Sequence, residues 1–355
     1  MGSLRNGRFD RLKELAGKTI VHYSARIREQ HQRFISRAWP KSTSRKDPVY
    51  LAWKFRSNST DEIENLLLAI DQGNVVGQLG LIPVQVKIGN RILEAQWGCN
   101  FKVLSELEGA GYGSLLDIRS LGKKTITLGA APTKQSEDIK IRLGFTALEG
   151  PRIMAFPIDF RYFIQLKLAY LPLVIIKALE TTIKPIYKLR YFKSYRLSKK
   201  LQDGILHGSY KDIIHLIESS RAKIQIAQVV HNTEFLHWRC KEVAGYRKEA
   251  LSLRTPSGSF ILYYPTSGYC YLYEYWFANP ADRISLLKEL LLIASDFPSK
   301  GLYSYINDPR DENDFKTFGF FGFRTKIKVY AFAEDSAILF GKYFHMNIYD
   351  SDGNL

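Results

Sequence analysis

A chain of 355 residues is long enough for two domains, since one hydrophobic core seldom grows past about 250–300 residues. Apolar residues at 45% and charged residues at 24% exclude a disordered tail, a coiled coil and a collagen-like fibre. The formal net charge of +16 points to an anionic partner: a nucleic-acid backbone, an anionic membrane surface or a phosphate-rich small molecule.

Read from the N-terminus, Met1 to Asn6 lacks an apolar signal core, so a cytoplasmic protein is expected. Tyr50-Leu-Ala-Trp-Lys-Phe55 reads as a helix. Leu66–Asp71 and Val75–Ile82 flank the turn Gln72-Gly73-Asn74, a hairpin signal. Two further strands, Val84–Ile88 and Leu93–Val103, are expected on either side of Gly89-Asn90. A helix starts near Gly111, and a strand occupies Thr125–Leu128, ahead of Leu143-Gly144-Phe145. The stretch 159–210 reads as a basic helical linker. Between Asp159 and Lys200, ten Lys or Arg stand against Asp159 and Glu180. For 184–200, Ile183 just before it and Ile186, Tyr187 and Arg190 inside it lay an apolar stripe beside a charged one, which suits packing and attraction of small phosphates without nucleic-acid binding. The longest apolar run, Leu168 to Ile176, is broken by Pro172 and falls short of the about 20 residues of a membrane span.

The same plan then repeats. Phe235-Leu-His-Trp-Arg-Cys240 matches Tyr50–Phe55, and Phe318-Gly319-Phe320 echoes Leu143-Gly144-Phe145. Between these marks, Ala250–Arg254 and Phe260–Tyr264 form a hairpin and Tyr269–Phe277 a strand. Pro280–Phe297 is a helix with Leu286, Leu287, Leu290, Leu291 and Ile293 inward. The expected organisation is α+β: an N-terminal domain over 1–158, the linker 159–210, and a second domain over 211–355. Cys99, Cys240 and Cys270 are odd in number and far apart, so they read as core residues without disulfides. The seven His show no metal-ligand spacing, and no metal is expected.

The segment with most chemical content is Asn100 to Leu116, where a strand runs into a glycine-rich turn and straight on into a helix. Gly109, Gly111 and Gly113 let a ligand approach the backbone, and the first N–H groups of the helix are left to bind an anion such as a pyrophosphate. The spacing is G-x-G-x-G, which fits neither a Rossmann nor a Walker loop.

Glu108-Gly-Ala-Gly-Tyr-Gly113 resembles the acyl-CoA signature Q/R-x-x-G-x-G/A of the GNAT acyltransferase superfamily, with Glu in the Gln or Arg place. Thr133 stands near that family's Asn slot and Lys140 near its usual Tyr slot, ahead of Leu143-Gly144-Phe145. The resemblance covers residues 45–158 well and 225–335 in outline, where Asn279-Pro-Ala-Asp-Arg-Ile284 replaces the glycine loop. It implies two GNAT-like domains, each a mixed, split sheet flanked by helices, with acyl-CoA bound by the first copy alone. Backbone groups around Phe101 and Val103 would pair with pantetheine. Gly109, Ala110, Gly111, Tyr112, Gly113 and Ser114 would take the pyrophosphate, and the Ala130–Thr133 strand end, with Ala131 and Thr133, would splay away and admit the thioester.

An amine would attack the thioester directly, so no nucleophilic side chain is required. Glu94, Asn100 and His237 are the candidate acid–base groups, and water is an alternative; the Lys140 departure removes the usual Tyr that would protonate the leaving thiolate. Trp97, Trp238 and Arg239 are candidate acceptor contacts. The tandem plan is most similar to bacterial sugar N-acyltransferases that use acetyl-CoA or 3-hydroxybutanoyl-CoA on a dTDP-linked amino sugar, in lipopolysaccharide and O-antigen synthesis. Peptide or aminoacyl-tRNA-dependent acyltransferases of tandem GNAT type are a second reading. A non-catalytic module binding RNA or a membrane surface is a third. Weak association with a membrane surface is compatible with the basic charge.

Overall fold

Gln72 and Gly73 turn at positive φ, 45° and 77°, where the sequence places its first hairpin. The computed structural model describes residues 18–158, 175 and 204–350, except 244, 267, 298, 334, 336–337 and 339–340; the expected helix over 184–200 lies outside them. The chain forms two units, Met1–Leu148 with Lys328–Lys342, and Glu149–Ile327 with Tyr343–Leu355.

The first unit contains β1 (Thr19–Ser24), α1 (Arg28–Ala38), α2 (Pro48–Lys54), β2 (Glu62–Asp71), β3 (Asn74–Ile88), β4 (Arg91–Val103), α3 (Tyr112–Ser120), β5 (Ile126–Ala130) and α4 (Lys134–Arg142). Its sheet runs β1-β2-β3-β4-β5 and is completed by Val329–Ala333 of a late strand, β13 (Phe321–Ala333), antiparallel to β5. β4 and β5 pair in parallel, from Ala95↔Ile126 to Gly98↔Gly129. The expected strands Val75–Ile82 and Val84–Ile88 are one strand, β3. Pro83 does not break it, because β2 pairs only as far as Leu66↔Gly80 and the missing N–H costs no bond to β2. Residues 66–69 and 75–82 are buried at consecutive positions, as strands covered on both faces must be. Even positions of β3 face α1 and α2: Gln78 meets His31, and a Cβ on Gly80 would meet the Phe55 ring. Odd positions face α3, where a Cβ on Gly77 would touch Leu116.

The second unit repeats this order. It contains the later part of β6 (Thr146–Pro157), then β7 (Leu206–Ser209), α5 (Ile214–Ala222), β8 (Ala227–Val229), α6 (Thr233–Cys240), β9 (Leu251–Arg254), β10 (Phe260–Pro265), β11 (Cys270–Trp276), α7 (Pro280–Asp296), β12 (Gly301–Ile306), α8 (Pro309–Phe318) and β14 (Phe344–His345). Leu206–Ser209, read as the end of the helical linker, is instead an edge strand paired with β9. The sheet runs β7-β9-β10-β11-β12-β6, in which β11 and β12 pair in parallel; off this path β8 and β14 also pair in parallel. Leu286, Leu287, Leu290, Leu291 and Ala294 of α7 pack on Ile261, Leu272, Leu302 and Met154. The helical periodicity of 280–297 requires this face. In each unit a bulge follows the last parallel pair: Asn100–Phe101 stand opposite Leu79 after Gly98↔Gly129, and Tyr273 is the extra residue after Leu272↔Ser304.

Candidate functional site

Beyond Gly98 and Gly129 the parallel pair parts: β4 runs on to Val103, while β5 ends at Ala130. Asn100, at φ 49°, forms the bulge, and Gln78 Nε2 donates to its carbonyl at 3.2 Å. A cleft of ≈1930 Å³ opens between the separated strands, walled by the glycine loop, the start of α3 and one side of α4.

Gly109 and Gly111 turn the loop at φ 86° and 90°, and Gly111 is the N-cap of α3 with no side-chain cap. The first-turn N–H groups of a helix have no partner four residues back, and they carry the positive end of its dipole. Here they belong to the wall of the cleft. The Lys18 ammonium donates to the Ala110 carbonyl and lies 4.9 Å from the centre of the Tyr112 ring. Tyr112 is itself buried, and burial, with Asp71 beside it, pushes its hydroxyl up to about 12. Lys18, Lys102, Lys134, Lys140 and Arg142 line the cleft against Glu108 and Asp138, so the field inside it favours an anion.

Two buried polar groups lie on opposite faces of the sheet here. On the α1 side, His31 Nε2 donates to Gln78 Oε1 at 2.9 Å, and Lys54 Nζ reaches Asn100 Oδ1 at 3.4 Å. Burial lowers His31 to about 4, so the ring is neutral. On the α3 side, Lys140 Nζ is 3.1 Å from Asp117 Oδ1, with both side chains almost wholly buried. Burial holds the Asp117 carboxyl above the usual carboxylate range, and the Lys140 ammonium offsets this only in part. A Cβ on Gly129 would lie 3.1 Å from Lys140 Cε and 3.5 Å from Nζ, so the ammonium rests where β5 leaves β4.

Of the ten positions assigned from sequence to an acyl donor, all but Tyr112 line this one cleft, and Asn100 joins them. Thr133 also caps α4, its hydroxyl accepting from Ser136 N at 3.3 Å. The remaining candidates are elsewhere. Glu94 is exposed near the start of β4; a hydrogen bond from Gln85, together with Lys124, holds its carboxyl low. Trp97 is fully buried in the core and presents no surface to an acceptor. His237, Trp238 and Arg239 belong to α6 of the second unit. There His237 Nδ1 and the Tyr210 hydroxyl share a hydrogen bond of 2.8 Å, and buried Arg239 donates to the Tyr349 carbonyl at 2.7 Å. Asp117 was not singled out from sequence; its one signal is a carboxylate set among Leu115, Leu116 and Ile118.

In the second unit the helix that follows β11 begins differently. Asn279 caps α7 by accepting from Asp282 N at 2.9 Å, and Pro280 has no N–H to offer. The Asp282 carboxylate accepts from Thr255, Ser257 and Ser259 hydroxyls. This helix start therefore holds its own anion. Nearby, His231 donates to Glu274 at 2.7 Å through Nδ1 and to Asp350 through Nε2, while Arg221 and the Tyr349 hydroxyl also donate to Glu274. Burial and Arg221 work against the charged imidazole, but Asp350 and Glu274 outweigh them and raise its pKa. Among the described residues, no group of His, Cys, Asp and Glu is placed to hold a metal ion, and no helix is long and apolar enough to cross a membrane.

No family model and no curated protein matches the chain. Solved structures do. A GCN5-related N-acetyltransferase from Kribbella flavida is 15% identical over 90% of this chain and 71% of its own, with a TM-score of 0.57. A GCN5-related N-acetyltransferase from Anabaena variabilis is 8% identical, covering 88% of this chain and 72% of its own at a TM-score of 0.56. A conserved protein of unknown function from Enterococcus faecalis is 10% identical over 89% and 72%, with a TM-score of 0.53. The mixed α+β architecture of this chain is the GNAT fold.

Proposed function

We propose that this chain is an N-acyltransferase that moves an acetyl or 3-hydroxybutanoyl group from acyl-CoA to the amine of a dTDP-linked amino sugar. The observation that carries the acyltransferase reading is the parting of β4 and β5 into a basic cleft that ends on the uncapped start of α3. N–H groups from Gly109 to Ser114 bind the CoA pyrophosphate, because a helix start offers both donors and a positive dipole end. Pantetheine lies along Phe101–Val103, which leaves the thioester between Gly98 and Gly129. The amine nitrogen attacks the thioester carbonyl, a C–N bond forms, and the C–S bond breaks with its electron pair on sulfur. Backbone N–H groups at the bulge stabilise the oxyanion. The amine's proton passes to water. The formal charge of +16 supports an acceptor carrying a nucleotide diphosphate, with a place in surface-polysaccharide synthesis.

The test is release of free CoA thiol from acetyl-CoA and 3-hydroxybutanoyl-CoA with purified dTDP-, UDP- and GDP-amino sugars. Turnover with a dTDP-amino sugar is expected. Silence on every sugar, with turnover on a peptide N-terminus or an aminoacyl-tRNA, would remove the sugar and keep the acyltransferase.

A further inference from the structure

Lys140 has no evident purpose as a core residue. It sits on α4 with its side chain almost wholly buried, and its ammonium lies against Gly129 at the mouth of the parted strands. A buried ion pair seldom adds net stability, because the desolvation of two charges offsets their attraction. Asp117 Oδ1 takes one N–H of the ammonium, while Asp117 Oδ2 has no hydrogen-bond partner among the described residues. The Phe145 ring lies 4.7 Å from the ammonium, and among the described residues Asp117 is the one anion bonded to it, so N–H capacity remains for another. Gly98 and Gly129 contribute no side chain between this ammonium and the cleft.

We propose that Lys140, positioned by Asp117, binds the sulfur of the departing CoA as its negative charge develops; this rests on the acyltransferase reading above. When the tetrahedral intermediate collapses, the C–S electron pair moves onto sulfur beside the fixed ammonium. No proton moves between Lys140 and sulfur: the ammonium pairs with the thiolate as an ion pair. The CoA thiolate takes its proton from water after it leaves, and Lys140 is unchanged at the end of the cycle. The charge is absent in the bound thioester and present in the transition state, so the interaction raises kcat and leaves substrate binding alone. Asp117 acts through Lys140, by holding the ammonium against Gly129.

The test compares K140Q and K140R with wild type, using acetyl-CoA and whichever amine acceptor the wild type uses. Both new side chains can still donate to Asp117, so both are expected to fold. If neither does, K140M/D117N removes the pair together and gives the same reading. K140Q is expected to lose about 10²–10³-fold in kcat, the scale of one preorganised donor, with KM for acetyl-CoA within threefold. K140R, which keeps the charge, is expected to recover at least tenfold over K140Q. A folded, uncharged variant with kcat within threefold of wild type would overturn this role and leave the acyltransferase standing. If wild-type protein transfers acetyl to no amine, the acyltransferase reading fails and takes the role of Lys140 with it.

Discussion

Gly144 and Gly319 close their helices in the same way. In each, the glycine N–H donates three residues back, to Ile141 or Lys316, and the following Phe donates five back, to Lys140 or Phe315. This is the Schellman arrangement, which puts the glycine in the left-handed region, at φ 89° and 119°. The surroundings differ. A Cβ on Gly144 would lie 3.9 Å from Phe332, in ordinary contact, whereas one on Gly319 would lie 3.0 Å from the buried Phe156 ring. G144A should therefore lose only the left-handed cost of about 1–2 kcal/mol. G319A should lose that and roughly 1 kcal/mol more for crowding. Urea midpoints for the two variants check this; equal losses would show that the Phe156 ring yields freely.

These two glycines were legible because a Leu-Gly-Phe or Phe-Gly-Phe triplet at a helix end is a local signal. The glycine loop was legible for the same reason, since Gly111 needs a conformation that few other residues adopt. Pro83 misled in the opposite direction: a proline usually ends a strand, and only the early end of β2 pairing makes it harmless. The Asp117–Lys140 pair joins two helices, and the His231–Asp350 contact spans most of the second unit. No periodicity carries such contacts, because they depend on which faces the sheet brings together. Likewise nothing local says that Val329–Ala333 pairs with β5 while Arg152–Pro157 pairs with β12. The candidate base Glu94 rested on its place in β4 alone, and β4 puts it outside the cleft.

That placement has a kinetic consequence. E94Q alters a side chain bonded to Gln85 and Lys124, outside the residues that line the cleft. It should change kcat/KM by less than about threefold, whereas an acid–base group in the reaction contributes on the order of 10²–10⁴. N100A alters the bulge itself and should cost more than E94Q. A large loss in E94Q alone, with the melting temperature unchanged, would bring Glu94 back as the base.

His31 and His231 give the two units opposite responses to pH. Burial lowers His31 in the first unit to about 4, so the folded state binds its proton less readily than the unfolded chain. Stability linked to His31 is complete above the unfolded value of about 6.5 and is lost as pH falls through 4, by roughly 3 kcal/mol. His231 is raised in the second unit by Asp350 and Glu274, against burial and Arg221, with Tyr349 and His345 also facing the cluster. Its contribution is complete below about 6.5 and is lost as pH rises through the raised folded value. Melting curves from pH 4 to 9 should show the acid slope weakened in H31Q and the alkaline slope weakened in H231Q. The reverse assignment of slopes would mean that the buried networks carry other protonation states.

The asymmetry between the two helix starts sets the expected ligand count. In the first unit, Gly111 leaves the start of α3 without a side-chain cap and opens it to the cleft. In the second, Asn279, Pro280 and the Asp282 carboxylate already occupy the start of α7, and a pyrophosphate there would meet a fixed negative charge. Calorimetric titration with CoA should therefore give one site per chain. G111V should abolish that site in two ways. A β-branched residue at φ 90° is strained by about 1–2 kcal/mol, which loosens the loop, and its methyl groups enter the space the pyrophosphate needs. D282N gives a control in the second unit: it removes the charge without changing the first, so CoA affinity should stay as in wild type. Two CoA molecules per chain, or G111V with undiminished CoA affinity, would show that the pyrophosphate does not lie on the start of α3.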